Sequence, residues 1–214
     1  MRNRFEIQLQ ELNNNLVIMG TLCENAISIS INAFLKNDKE FIKEVLNIER
    51  EINEKEAEIE QQCLKLLLKQ QPVAKDLRII SAALKMITDI ERIGDQACDI
   101  AELVQETSES DKESFPHIRS MAKEAVKMVK ESIEAFVNRD LELANHVISY
   151  DDIVDDLFST VKDDIIEKIK MDGYNVQILV DMLMIAKYLE RIGDHATNIA
   201  EWVVFSITGS HKEE

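Results

Sequence analysis

The sequence predicts an all-α protein of six long helices, arranged as two tandem, pseudo-symmetric three-helix bundles. Three observations predict it. Only 5 Gly and 2 Pro occur in 214 residues, so few positions interrupt a helix. No stretch combines the apolar–polar alternation of a strand with turn signals at its ends. Finally, long strings recur at nearly constant offsets. "AFLKND" from Ala33 returns as "AFVNRD" from Ala135, and "EREIN" (49–53) as "DDIVD" (151–155), both at an offset of 102. "ERIGDQACDIAE" (91–102) returns as "ERIGDHATNIAE" (190–201) at an offset of 99.

The helix boundaries follow from the breaks. "LKND" (35–38) ends the first helix and offers Asn37 and Asp38 as N-caps for the second. "KQQPVAKD" puts Pro72 in the first turn of the third, where a missing N–H does no harm. "ETSESDKESFPH" (106–117), polar and charged, ends at Pro116 and joins the two halves. "VNRD" (137–140) separates the fourth and fifth helices and offers Asn138 and Asp140 as N-caps, and "KMDGYN" offers Gly173 as the C-terminal glycine before the sixth. A duplicated unit, three residues shorter between its second and third helices in the second copy, explains both offsets. The two units are expected at 1–108 and 112–214.

Composition narrows the function. With 41 acidic and 25 basic residues the formal net charge is −16. Such a surface repels nucleic-acid phosphates and anionic lipid, and favours cations or a partner with a basic face. Cys23, Cys63 and Cys98 are odd in number and widely spaced, as structural thiols of a reducing compartment are. "MRNRFEIQLQ" has no apolar leader core, and no apolar run reaches the ~20 residues of a membrane span, so a cytoplasmic location is expected.

The repeated acidic string carries the chemistry. At about 100° per residue, Asp95, Asp99 and Glu102 fall within roughly 80° of Glu91. Ile93, Ala97, Ile100 and Val104 occupy a separate apolar face. Glu190, Asp194, Asn198 and Glu201 repeat the first set; Ile192, Ala196, Ile199 and Val203 repeat the second. Like charges at i,i+4 repel by a few tenths of a kcal/mol, which a multivalent cation would reverse. Asp151 and Asp155 form a further D-x-x-x-D pair, matched by Glu49 and Asn53 in the first half. Carboxylates suit Mg²⁺, Mn²⁺, Ca²⁺ or iron better than Zn²⁺. An acidic helix face is ordinarily just solvated; duplication in the same phase weakens that account without removing it. Gly94 and Gly193 cost about 1 kcal/mol each in a helix interior, which points to close helix packing. His195 has Gln96 as its counterpart in the repeat and is expected as a surface or packing residue rather than a ligand, Met182 and Met184 as core fillers. "KDLR" (75–78) has no match in the second half, where "YNVQ" (174–177) stands. No phosphate-binding glycine loop, catalytic triad pattern or E-x-x-H di-iron repeat is present.

These residues resemble the PhoU family. "QPVAKDLRIISAALKMITDIERIGDQACDIAE" and "MLMIAKYLERIGDHATNIAEWVVF" carry the resemblance, which extends over nearly the whole chain. It implies two related three-helix bundles and metal clusters held by E/D-x-x-x-D motifs. It also implies a non-enzymatic cytoplasmic adaptor that restrains phosphate uptake and phosphate-starvation signalling. The implied partners are the phosphate transporter's ATPase subunit and the phosphate sensor histidine kinase. Carried over by position, the metal residues are Glu49, Glu91, Asp95 and Asp99 in the first half. In the second they are Asp151, Asp155, Glu190, Asp194 and Asn198. Asn53 leaves the first set one carboxylate poorer. Fe, Mn or Mg is the expected cofactor, a homodimer the expected assembly, and the membrane is expected to be reached only through partners. The alternatives are a regulator of another phosphate transporter, a helical scaffold with solvated acidic faces, and a carboxylate-bridged di-metal enzyme.

Overall fold

The computed structural model describes residues 2–36, 39–69, 73–103, 115–171 and 173–210. Six helices account for nearly all of them: α1 (Arg2–Lys36), α2 (Lys39–Lys69), α3 (Ala74–Leu103), α4 (Pro116–Asn138), α5 (Leu141–Ile169) and α6 (Val176–Thr208). Among the described residues there is no strand.

Local chemistry explains the ends. Pro116 opens α4 as its first helical residue. Arg139 closes α4 in the left-handed region (φ 55°), and Asp140 then caps α5, its carboxylate accepting from the Leu143 N–H at 2.9 Å. Asn175 caps α6 by accepting from the Gln177 N–H, and Gly209 (φ 84°) ends it. Gly173 (φ 108°) does not terminate α5. Lys170 is the C-cap, and the glycine sits in the turn beyond it. Pro72, Asn37 and Asp38 lie outside the described residues.

The apolar faces pack in the predicted duplicate. Ile79, Met86, Ile90, Ile93, Ala97 and Ile100 of α3 are buried, and so are their counterparts 99 residues on, Ile178, Ile185, Leu189, Ile192, Ala196 and Ile199 of α6. Ser30 of α1 and Ser132 of α4, 102 residues apart, are both fully buried and turn their hydroxyls back to the carbonyls of Ile27 and Val129. Each large apolar side chain taken out of water is worth roughly 1.5–3 kcal/mol, so these paired stripes hold the helices together.

Within each half the three helices pack on one another. Between halves, α3 packs on α6 and α1 on α4, leaving α2 and α5 packed chiefly within their own halves. α3 and α6 run antiparallel: Arg78 near the start of α3 lies against Gly209 at the end of α6, while Asp89 meets His195 and Asn198. Buried residues of all six helices form one continuous apolar core. Met182 belongs to it, but Met184 is 38% exposed. One expectation needs correction. By length and composition, Phe5–Phe34 in α1 is apolar enough to cross a membrane, although half of its most apolar window is buried in the bundle.

Candidate functional site

The acidic strings of α3 and α6 each lie beside the preceding helix, and the glycines show how closely. A Cβ on Gly94 would stand 2.9 Å from Ile52 Cδ1 of α2. On Gly193 it would stand 3.4 Å from Val154 Cγ1 and from Asp151 Oδ1 of α5. Ile52 and Val154 are themselves 102 residues apart, so the same close approach is built twice. Missing side chains bring the carboxylate-bearing helices together.

In the second half this gathers Asp151 and Asp155 of α5 with Glu190 and Asp194 of α6. Burial pushes the Asp151 carboxyl up to about 6, with Asp155 and Asp194 adding to the rise. Asp155 is raised by desolvation and by Glu190, and Asp194 by desolvation, Glu190 and Asp155. Lys187, one turn before Glu190 and on the same face, pairs with it.

The first half gathers Glu49 with Glu91 and Asp95. Glu91 is raised by burial, then by Asp95 and Glu49. Arg92 pairs with Asp95 at 3.0 Å and with Glu91 at 3.4 Å. Asn53 donates to Glu49 at 2.5 Å, leaving its own Oδ1 buried without a hydrogen-bond partner. Sequence reasoning missed Glu56. It is raised by burial and then by Glu91, so α2 supplies a second carboxylate one position short of a full turn beyond Asn53. The 49–53–56 spacing puts it on the same helix face; Phe158 replaces it in the second half. Cys98, beside Glu49 and Asp95, is pushed up to about 12, mainly by burial.

Asp99 and Asn198 behave differently from the other predicted residues. Both sit where α3 crosses α6. Burial, Glu102 and Asp95 raise Asp99, while Arg191 of the other half lowers it. Asn198 donates its amide to Asp89 at 3.2 Å, and His195 Nδ1 meets the same Asp89 oxygen at 2.9 Å. His195 thus bridges the two halves, the packing alternative of the two expected for it. Asp89 was missed because it is not duplicated; its counterpart is Tyr188.

The donor chemistry fits a hard cation: carboxylate oxygens on two adjacent helices that raise one another's pKa, with the orphaned Asn53 oxygen beside the first set. Among the described residues, no three acidic, cysteine or histidine side chains yet converge on one metal-holding point. Ion pairs to Lys187 and Arg92 occupy part of each face instead.

Comparison with known proteins places these faces in context. Residues 16–104 and 118–203 each match the PhoU domain family. The phosphate-specific transport system accessory protein PhoU homolog of Clostridium acetobutylicum is 35% identical over 97% of this chain and 96% of its own length. The homolog of Pseudomonas aeruginosa is 32% identical over 97% of this chain and 86% of its own. The crystal structure of PhoU from P. aeruginosa superposes with a TM-score of 0.86, covering 96% of this chain and 100% of that one at 32% identity. The phosphate transport system regulatory protein PhoU from Streptococcus pneumoniae superposes at 0.89 with 26% identity, covering 98% and 100%.

Proposed function

Because the chain belongs to the PhoU family, we propose that it is a non-catalytic accessory regulator of phosphate transport, acting in the cytoplasm by docking onto other proteins. The observation that carries this reading is the full-length similarity to accessory and regulatory proteins of phosphate transport. In this reading it restrains uptake and starvation signalling through the transporter ATPase and the sensor histidine kinase. A chain at −16 is suited to fast association with basic surfaces.

Metal binding is part of the same proposal. Asp151, Asp155, Glu190 and Asp194 would hold a hard cation in the second half, and Glu49, Glu56, Glu91 and Asp95 one in the first. A bound cation would offset the mutual repulsion of these carboxylates. The Lys187–Glu190 and Arg92–Asp95 pairs favour a second reading, a scaffold whose acidic faces are merely solvated. Elemental analysis of protein purified without chelators separates the two: stoichiometric Fe or Mn supports the metal-bearing regulator, and its absence favours the scaffold. The regulatory reading itself is tested by binding to the isolated ATPase subunit and to the kinase's cytoplasmic part at low and high salt. Binding that weakens with salt, mainly through a slower on-rate, is expected. No binding to either at low salt, with metal supplied, overturns it.

A further inference from the structure

We infer that the end of the first bundle, where α2 stops and α3 starts, is a docking site for anionic lipid headgroups, so that this chain touches a membrane directly. Charge carries the first part of the argument. Residues 61–88 hold five basic side chains, Lys65, Lys69, Lys75, Arg78 and Lys85, against a single acid, Asp76. This net of four positive charges lies in a chain whose formal net charge is −16. Lys65 and Lys75 are exposed. Arg78 packs against Gly209; Lys85, twelve residues or about 18 Å along the helix beyond Val73, lies 6.0 Å from the Trp202 ring and outside the end itself.

The distribution of acids matters more than their total. Glu60 lies eight residues before Leu68, about 12 Å along the helix, and Asp89 sixteen after Val73, about 24 Å. Both spacings exceed the Debye length of about 8 Å at physiological salt. Asp76, and on α1 Glu6 next to Ile7, are therefore the acids nearest this end, and the other acids of α2 and α3 lie beyond a Debye length from it.

Apolar exposure carries the second part. Leu68 is 82% exposed, Val73 66%, and Leu64 and Leu77 46% each. The α1–α2 register set by Asn15 and Glu58 brings Ile7, 57% exposed, to the same end. Apolar side chains at the end of a helical hairpin, flanked by lysines, suit a bilayer interface: the apolar groups enter between headgroups while the ammonium groups meet phosphates.

The duplication supplies an internal comparison. In the second half Ile166 (42%) and Val176 (60%) occupy the positions of Leu64 and Leu77 and are also exposed. Residues 163–187, however, carry five acidic and three basic side chains. The apolar end is built twice, but only the first copy is positive. The unmatched "KDLR" string falls within it.

The test is sedimentation of the purified full-length chain with vesicles of phosphatidylcholine alone, or of equal parts phosphatidylcholine and phosphatidylglycerol. No other protein is present, so the outcome is independent of the transporter reading. We expect partition onto the anionic vesicles only, weakening as salt rises. Replacing Lys65 and Lys75 by Gln should lower it about fivefold per lysine. L68S with V73S should lower it more than about tenfold. I166S with V176S should leave it unchanged. No partition of the parent onto anionic vesicles at low salt overturns the proposal. So does equal partition onto neutral vesicles, full binding by L68S/V73S, or equal loss in I166S/V176S.

Discussion

Gly94 and Gly193 occupy equivalent positions, yet their surroundings predict different tolerance. Alanine is about 1 kcal/mol better than glycine in a helix interior. At Gly193 the new methyl would meet Val154 and Asp151 at 3.4 Å, close to ordinary contact, so Gly193→Ala should be neutral or stabilising by up to about 1 kcal/mol. At Gly94 it would meet the fully buried Ile52 side chain at 2.9 Å. Overpacking of this kind costs about 1–3 kcal/mol, so Gly94→Ala should be the less stable of the two by urea midpoint. Glu24 makes a second residue-scale case. Burial raises its pKa, with Lys130 only partly opposing. The folded state therefore holds the proton more tightly than the unfolded chain does. Stability from this group is greatest at or below the ordinary glutamate range and falls as pH climbs through the raised value. Glu24→Gln should be more thermostable than the parent at neutral pH. That advantage should vanish in scans run below the ordinary glutamate range.

Among elements, α5 and α6 each start on a side-chain cap. Asp140 accepts from Leu143 N, and Asp140→Ala should lower stability by about 1 kcal/mol in denaturant titration. That cap was legible in "VNRD" because capping is a local interaction. Gly173 was less so: a glycine after a helix can serve as its cap or sit in the following turn, and the backbone of α5 ends one turn sooner. The acidic faces of α5 and α6 make a sharper prediction. Glu190→Ala with Asp194→Ala should abolish Mn²⁺ or Fe binding to the second half by calorimetry. The melting temperature of the metal-free chain should be nearly unchanged, because the buried stripe of Ile192, Ala196, Ile199 and Val203 is untouched. Retention of parental affinity would show that these carboxylates are not ligands.

At the scale of the molecule the two halves share one core. α1 and α3 bury apolar surface against α4 and α6, and Asp89, His195 and Asn198 join across the crossing. The segment 1–108 produced alone should therefore expose the faces of α1 and α3. It should bind an apolar dye strongly and unfold with low cooperativity, whereas the full chain should unfold in one transition. A cooperative, dye-silent 1–108 would mean that each bundle is self-sufficient.

Six helices, the duplication and the positions of most breaks were determined by the sequence itself, because propensity, capping and apolar periodicity act over a few residues. The phase of Glu91, Asp95, Glu190 and Asp194 followed from the same periodicity. Which carboxylates meet across helices was decided only by packing. Glu56 comes close to Glu91 where Gly94 lets α2 approach α3, and no spacing rule ties a residue on one helix to a face of another. Asn198 bonds across the crossing because antiparallel packing of α3 on α6 brings an unduplicated acid, Asp89, within its reach. Local interactions wrote the elements; contacts between distant residues, made where two glycines let helices touch, decided which carboxylates lie side by side.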